Sequence, residues 1–209
     1  MKETFAEIFH ELKLSSLSEK LSEFAGLFEI INEHYWVLYR KGMVSKEELR
    51  LKRIADTLAN FGMYDKLIIC TLSDLYLRRV TRKKNLFPGV KETLSYLKEK
   101  YNLYIISNGF AELQANKIES SEIGNFFTRV FVAEMSGFQK PDRRFFYYAL
   151  SSVNAKKAES IMIGDDLEAD IRGAKEAGID QVFFNPCNKS YSIRVTYEIK
   201  AIPELRNIL

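Results

Sequence analysis

The first 87 residues of this 209-residue chain contain no proline, whereas all four prolines (Pro88, Pro141, Pro186 and Pro203) and seven of the ten glycines lie beyond them. Proline costs about 3 kcal/mol inside a helix, so a long stretch without it marks a helical region. Apolar spacing agrees. Leu17, Leu21, Phe24, Phe28, Ile31, Tyr35 and Leu38 recur four and three residues apart, which predicts one face of a single long helix. Phe5, Ile8, Phe9 and Leu12 predict a shorter helix before it. Ser45 followed three residues later by Glu48 reads as a capping box opening a third helix, with Leu51, Ile54, Leu58 and Phe61 as its stripe. A fourth helix is expected over 65–80.

From Pro88 onward the texture changes. Short β-rich runs at 103–106, 130–132, 161–163 and 182–184 alternate with amphipathic stretches near 90–100, 110–120, 142–153 and 167–177. That alternation predicts an α/β fold with a parallel, Rossmann-like sheet covered by helices on both faces. The division expected is a helical part over 1–84 and an α/β part over 85–209. The one charge run, Arg78-Arg79-Val80-Thr81-Arg82-Lys83-Lys84, sits at the join and reads as a solvated hinge rather than a rim for anionic substrates.

Composition narrows the function classes. Hydrophobic residues at 46% and charged residues at 28% are ordinary globular usage, which excludes disordered and collagen-like chains. No apolar run is long enough to span a bilayer, and the first 20 residues carry acids where a signal peptide would be basic then apolar. A net charge of +3 gives no electrostatic argument for nucleic acid, so neither a nucleic-acid nor a membrane partner is expected. Cys70 and Cys187 form no CxxC pair, which argues against a disulfide framework and a cysteine-built zinc site and favours a reducing cytoplasm.

In an open parallel sheet, ligands bind beyond the carboxyl ends of the strands. Three segments fall on that edge. Ser107-Asn108-Gly109 ends the first β-rich run, offering a hydroxyl and turn N–H groups suited to a phosphate oxygen. Lys140-Pro141-Asp142 follows the second and supplies a cation. Gly164-Asp165-Asp166-Leu167-Glu168-Ala169-Asp170 follows the third, where clustered acids read either as helix caps or as hard oxygen ligands for magnesium.

The order hydroxyl, Lys-Pro, then Gly-Asp with a further Asp resembles motifs II, III and IV of the haloacid dehalogenase (HAD) superfamily, in the settings YIISNGF, GFQKPDRRFF and MIGDDLEADIRGAKEAG. The helical part is similar to the cap of the helical-cap subfamily, and YWVLYRKGMVSKEEL to that of its pyrimidine-nucleotide 5′-phosphatase branch. The resemblance implies Mg2+-dependent hydrolysis of a small-molecule phosphomonoester through an aspartyl-phosphate, by a monomer or weak homodimer. By position it implies that Ser107 holds a phosphoryl oxygen with Asn108 and Gly109 lending N–H groups. It implies that Lys140 bridges nucleophile and phosphate, and that Asp165 and Asp170 hold the metal with Asp166 in support. In the cap, Trp36, Tyr39 and Arg53 match positions expected to meet a base, sugar or phosphate.

The sequence departs from the family at one point. The nucleophile belongs to a D-x-D-x-T motif after a first core strand, and no two aspartates of this chain stand two residues apart. His10 and His34 fall in the helical part, and Cys187 has no base beside it in sequence, so no other side chain replaces the nucleophile. About twenty family residues are expected to be missing from the front, in a segment upstream of Met1 rather than by true truncation. The chain as given is expected to be inactive alone, with a slot between the strands at 103–106 and 160–163 where the family's first strand runs. The alternatives are a non-catalytic relic that binds phosphate or a partner, a haloacid dehalogenase, or a phosphomutase. Dehalogenases usually lack the motif IV Gly-Asp, so Gly164-Asp165 favours the phosphatase.

Overall fold

The computed structural model describes residues 1–209 and divides into two compact units, Met1–Lys83 and Lys84–Leu209. The first is wholly helical: α1 (Lys2–Glu11), α2 (Ser15–Glu19), α3 (Leu21–Arg40), α4 (Lys46–Ala59) and α5 (Lys66–Val80). Its core is aromatic. The Phe5 ring lies 4.9 Å from Phe24, 4.8 Å from Phe28 and 4.9 Å from Tyr76, so one side chain ties α1 to α3 and α5. The capping box at Ser45 is present, with the Glu48 N–H donating to Ser45 Oγ at 3.1 Å and the Ser45 N–H to Glu48 Oε2 at 2.9 Å. Asp65 caps α5 through its side chain alone, accepting from the N–H groups of Leu67 and Ile68.

Two expectations need correction here. The stripe beginning at Leu17 does not lie on one helix, because the backbone breaks at Lys20 (φ −104°, ψ 21°) and Leu17 belongs to α2. An unbroken 3.6-residue period is blind to such a break, since the Lys20 carbonyl still accepts the Phe24 N–H and the stripe resumes in phase. The charge run is also less solvated than expected. Arg79 pairs with Glu7 and Glu11, and Lys83 with Glu3 and Glu7, which fastens the C-terminal end of α5 and the residues just after it to α1.

The second unit runs α6 (Val90–Lys100), β1 (Tyr104–Ser107), α7 (Ala111–Ser120), β2 (Arg129–Val132), α8 (Ala133–Ser136), α9 (Arg143–Ser152), β3 (Ile161–Gly164), a wide helical turn Leu167–Arg172, α10 (Gly173–Ala177), β4 (Asp180–Phe184) and β5 (Tyr197–Ile199). All strand pairs are parallel: β1 pairs with β2, β3 with β4, and β4 with β5. The short strand β5 is missed by the sequence reading, because Tyr197-Glu198-Ile199 is only three residues long. The five strands form two separate ladders, β1-β2 and β3-β4-β5, with no pairing between β1 and β3. The ladders nevertheless share their apolar layers. Ile106 of β1 and Met162 of β3 both pack on Phe146, Ala174, Ala177 and Ile179. Leu103, at the start of β1, and Ile161 and Ile163 of β3 pack on Leu97, Val182, Phe184, Ile199 and Leu205.

Truncating Phe5 to Ala should cost the helical unit about 3–5 kcal/mol, since a fully buried ring is lost from a packed cluster. Ser45→Ala should cost about 1 kcal/mol through the lost cap. Ile30→Ala, at a side chain 70% exposed, should change stability by less than about 0.5 kcal/mol. Chemical denaturation followed by far-UV dichroism orders the three, and an Ile30 effect equal to that of Phe5 would refute this packing.

Candidate active site

The carboxyl ends of β1 and β3 bring the three loop segments together around one buried ammonium. Lys140 is 8% exposed, and its Nζ donates to the Ile106 carbonyl of β1 at 2.9 Å and to Asp170 Oδ1 at 2.5 Å. Asp170 is itself 6% exposed. An ion pair this enclosed persists only where geometry and further hydrogen bonds offset the desolvation of both charges. The backbone of Lys140 is held just as firmly: the Asn108 amide donates to the Lys140 carbonyl at 2.8 Å and accepts its N–H at 2.7 Å. The Lys140–Pro141 peptide is cis. Asn108 thus acts through its side chain as a clamp on the lysine, a role that sequence reading, which gave it a backbone donor to phosphate, does not reveal.

Ser107 closes β1, and its Oγ accepts the Gly109 N–H at 3.0 Å. That hydroxyl keeps its own proton to donate, but the Gly109 N–H is engaged by Ser107 rather than offered to a ligand. After β3, the turn Leu167–Arg172 is wider than an α-helix, the Ile171 N–H reaching back five residues to the Asp166 carbonyl. Such widened turns frequently occur at functional sites, and this one turns Asp170 inward. Gly164 makes the approach possible, because a Cβ there would collide with the Asp170 carboxylate. Asp142, beyond the proline, caps α9 by accepting the Arg144 N–H at 2.9 Å. The Arg144 guanidinium holds the Asp142 carboxyl below the ordinary carboxylate range.

The three motif IV acids differ in their partners, although the Asp166 N–H reaches Asp170 Oδ2 at 3.3 Å. Asp170 is bound to Lys140, and Asp166 accepts the N–H groups of Glu168 and Ala169 at 2.9 Å each, so it serves as a helix cap. Asp165 is exposed and its carboxylate has no partner. No group of three or more His, Cys, Asp or Glu side chains is spaced to hold a metal ion. Hydrogen bonding within the chain thus engages Asp170 and Asp166 and leaves the Asp165 carboxylate at the surface.

In the helical unit, Arg53 is not presented to a sugar or phosphate. It is 5% exposed, donates to Asn32 Oδ1 at 2.7 Å, and sets its guanidinium 5.9 Å from the Phe28 ring and 5.5 Å from that of Tyr76. Trp36 and Tyr39 are half-buried neighbours on α3, their rings edge to face at 5.9 Å.

The profile of the haloacid dehalogenase-like hydrolases matches residues 1–184. The chain belongs to that family. It is 32% identical over 185 residues to the HAD-hydrolase YfnB of Bacillus subtilis, covering 87% of this chain and 78% of that one. It is 29% identical over 184 residues to the pyrimidine 5′-nucleotidase PynA of Streptococcus pneumoniae, covering 86% and 76%. The crystal structure of YfnB bound to magnesium superposes with a TM-score of 0.81 at 28% identity, over 97% of this chain and 91% of the other. The expectation of an α/β, HAD-like fold with helical content in the first part is met.

Removing Lys140 alone leaves Asp170 buried without a partner, so Lys140→Ala should destabilise the α/β unit by about 3–5 kcal/mol. The double change Lys140→Met with Asp170→Leu should recover most of that loss. Asp142 contributes through a depressed carboxyl, so its share of stability is present above the unfolded-state value and is lost as pH falls through the folded one. Asp142→Asn should flatten the acid limb of a melting-temperature profile, and an unchanged limb would count against the Arg144 contact.

Proposed function

We propose that this hydrolase-family chain handles the phosphate group of a small phosphomonoester, with nucleoside monophosphates as the leading substrate class. The observation that carries the reading is the Lys140 ammonium, fixed at the carboxyl end of β1 beside the Ser107 hydroxyl turn. A phosphate resting there would receive the Ser107 proton as a hydrogen bond and lie near a positive charge that is already positioned. Phosphoryl transfer depends mainly on such positioning and charge compensation.

Magnesium fits the donor chemistry in a limited way. It is commonly held by one or two carboxylates, with waters and substrate oxygens completing its shell. Asp165, exposed at the carboxyl end of β3, would hold it. When bound, the ion neutralises charge on the phosphoryl oxygens. No nucleophile is assigned within the chain, because Asp170 is engaged by Lys140 and Asp166 by its cap. The second reading, phosphate binding without turnover, gains its support from that same engagement.

Trp36 and Tyr39 support the nucleotide half of the proposal, since a half-exposed aromatic pair suits a planar base. PynA and the Escherichia coli relative YjjG are named pyrimidine 5′-nucleotidases, while the Pyrococcus furiosus relative is named a glyceraldehyde 3-phosphate phosphatase.

Titration with inorganic phosphate and magnesium chloride should show binding by calorimetry, weakened about tenfold in Ser107→Ala, in line with loss of a hydrogen bond to a charged group. The chain alone should not turn over p-nitrophenyl phosphate or uridine monophosphate. Sustained magnesium-dependent turnover that disappears in Asp165→Ala would overturn the absence of a nucleophile. Trp36 is the one tryptophan of the chain, so its fluorescence reports on the substrate class. Uridine monophosphate should quench it and glyceraldehyde 3-phosphate should not; the reverse would replace nucleotides with sugar phosphates.

A further inference from the structure

Gly109 is a glycine that its own backbone does not require. Glycine is favoured where φ is positive, and Gly109 is not among the positive-φ residues of the chain, unlike Gly89, Gly137 and Gly178. What the missing side chain provides is space. A Cβ on Gly109 would collide with Gln114 Nε2, with Gln114 Cδ 3.1 Å and Ser107 Oγ 3.2 Å away. The Gln114 carboxamide and the Ser107 hydroxyl therefore stand beside the same backbone carbon.

The helix that follows puts the carboxamide there. Gln114 is the fourth residue of α7, and its N–H donates to the Phe110 carbonyl at 3.0 Å. Helical side chains lean back toward the N-terminus, so this one lies over the turn that precedes the helix. It is half-buried and makes no hydrogen bond within the chain. Its two N–H donors are satisfied by nothing in the protein, and no hydrogen bond fixes which way the NH2 turns.

Two backbone donors nearby are already engaged. The Gly109 N–H goes to Ser107 Oγ at 3.0 Å, and the Ala111 N–H, first of α7, goes to Glu134 Oε2 at 2.8 Å. A helix N-terminus attracts anions, and here a carboxylate of the chain has taken that place. The Ser107 proton and the Gln114 NH2 are two side-chain donors left for a ligand.

We propose that Gln114 is a phosphate-binding residue, whose NH2 donates to a second oxygen of the phosphoryl group held by Ser107, and that Gly109 lacks a side chain in order to admit it. The proposal rests on the phosphate reading of Ser107 given above. A tetrahedral anion that accepts a hydrogen bond of about 2.8 Å from each group bridges two donors set beside one carbon. Both donors are neutral, so they orient the anion and leave its charge to Lys140.

The test is calorimetric titration of the full chain with inorganic phosphate in magnesium chloride, for the native protein, Gln114→Ala, Gly109→Ala and the double variant. Each single change should weaken binding about tenfold, as loss of one hydrogen bond to a charged group does. The double variant should be no weaker than either single one, because the new Cβ acts only by displacing Gln114. Side-chain amide spectra of the isotope-labelled native chain give a second measurement, independent of any change in folding. The NH2 pair that is missing from the Gln114→Ala spectrum should shift with phosphate and not with sodium chloride of equal ionic strength. Losses that multiply in the double variant would show that the glycine serves another purpose and would overturn the proposal. So would native affinity in Gln114→Ala, or an NH2 pair that phosphate leaves in place. If Ser107→Ala still weakens binding in that case, the phosphate reading survives and Gln114 is merely solvated. No binding by the native chain would remove that reading and Gln114 with it.

Discussion

One buried ammonium organises the α/β unit. Lys140 takes a backbone carbonyl from β1 and a carboxylate from the turn after β3, and so it connects two ladders that share no strand pairing. A lysine that loses its water must find such partners or give up its charge. The surrounding chain is shaped by that demand: the Asn108 clamp fixes the lysine backbone, Gly164 leaves room for Asp170, and the widened turn at Leu167–Arg172 aims it. The same constraint separates Asp170 in kind from its neighbours Asp165 and Asp166, which face water and a helix end.

Much of this is legible in the residues alone. The proline-free first part, the capping box at Ser45 and the alternation of β-rich and amphipathic runs led to the helical unit and the parallel strands, because each is a local signal read over a few residues. The break at Lys20 was hidden, since the apolar period continues through it. β5 was hidden for a different reason: three residues are too few to show alternation, and Ile199 is buried only because β4 lies beside it. At the site, residue types and order pointed to Ser107, Lys140 and the motif IV acids. Which acid pairs with the lysine, and which caps a helix, is a matter of rotamer and turn width that no spacing encodes. Arg53 shows the limit most clearly, for an arginine at a substrate-like position turns out to be packed between aromatic rings.

The two units rely on different physics. The helical one is held by aromatic packing around Phe5, which needs no particular polar partner and tolerates exposed charge at its rim. The α/β unit places its one buried ion pair at the carboxyl ends of β1 and β3.

The ion pairs between α1 and α5 have a topological consequence. Glu3 and Glu7 meet Lys83 while Glu7 and Glu11 meet Arg79, so the two helices run in opposite directions and Met1 lies alongside the point where the chain leaves the helical unit. The two ends of the helical unit are neighbours. Geometrically the helical unit is a cassette: a loop of another protein could receive it at a single site, and a short bridge between its two ends would close it into a ring.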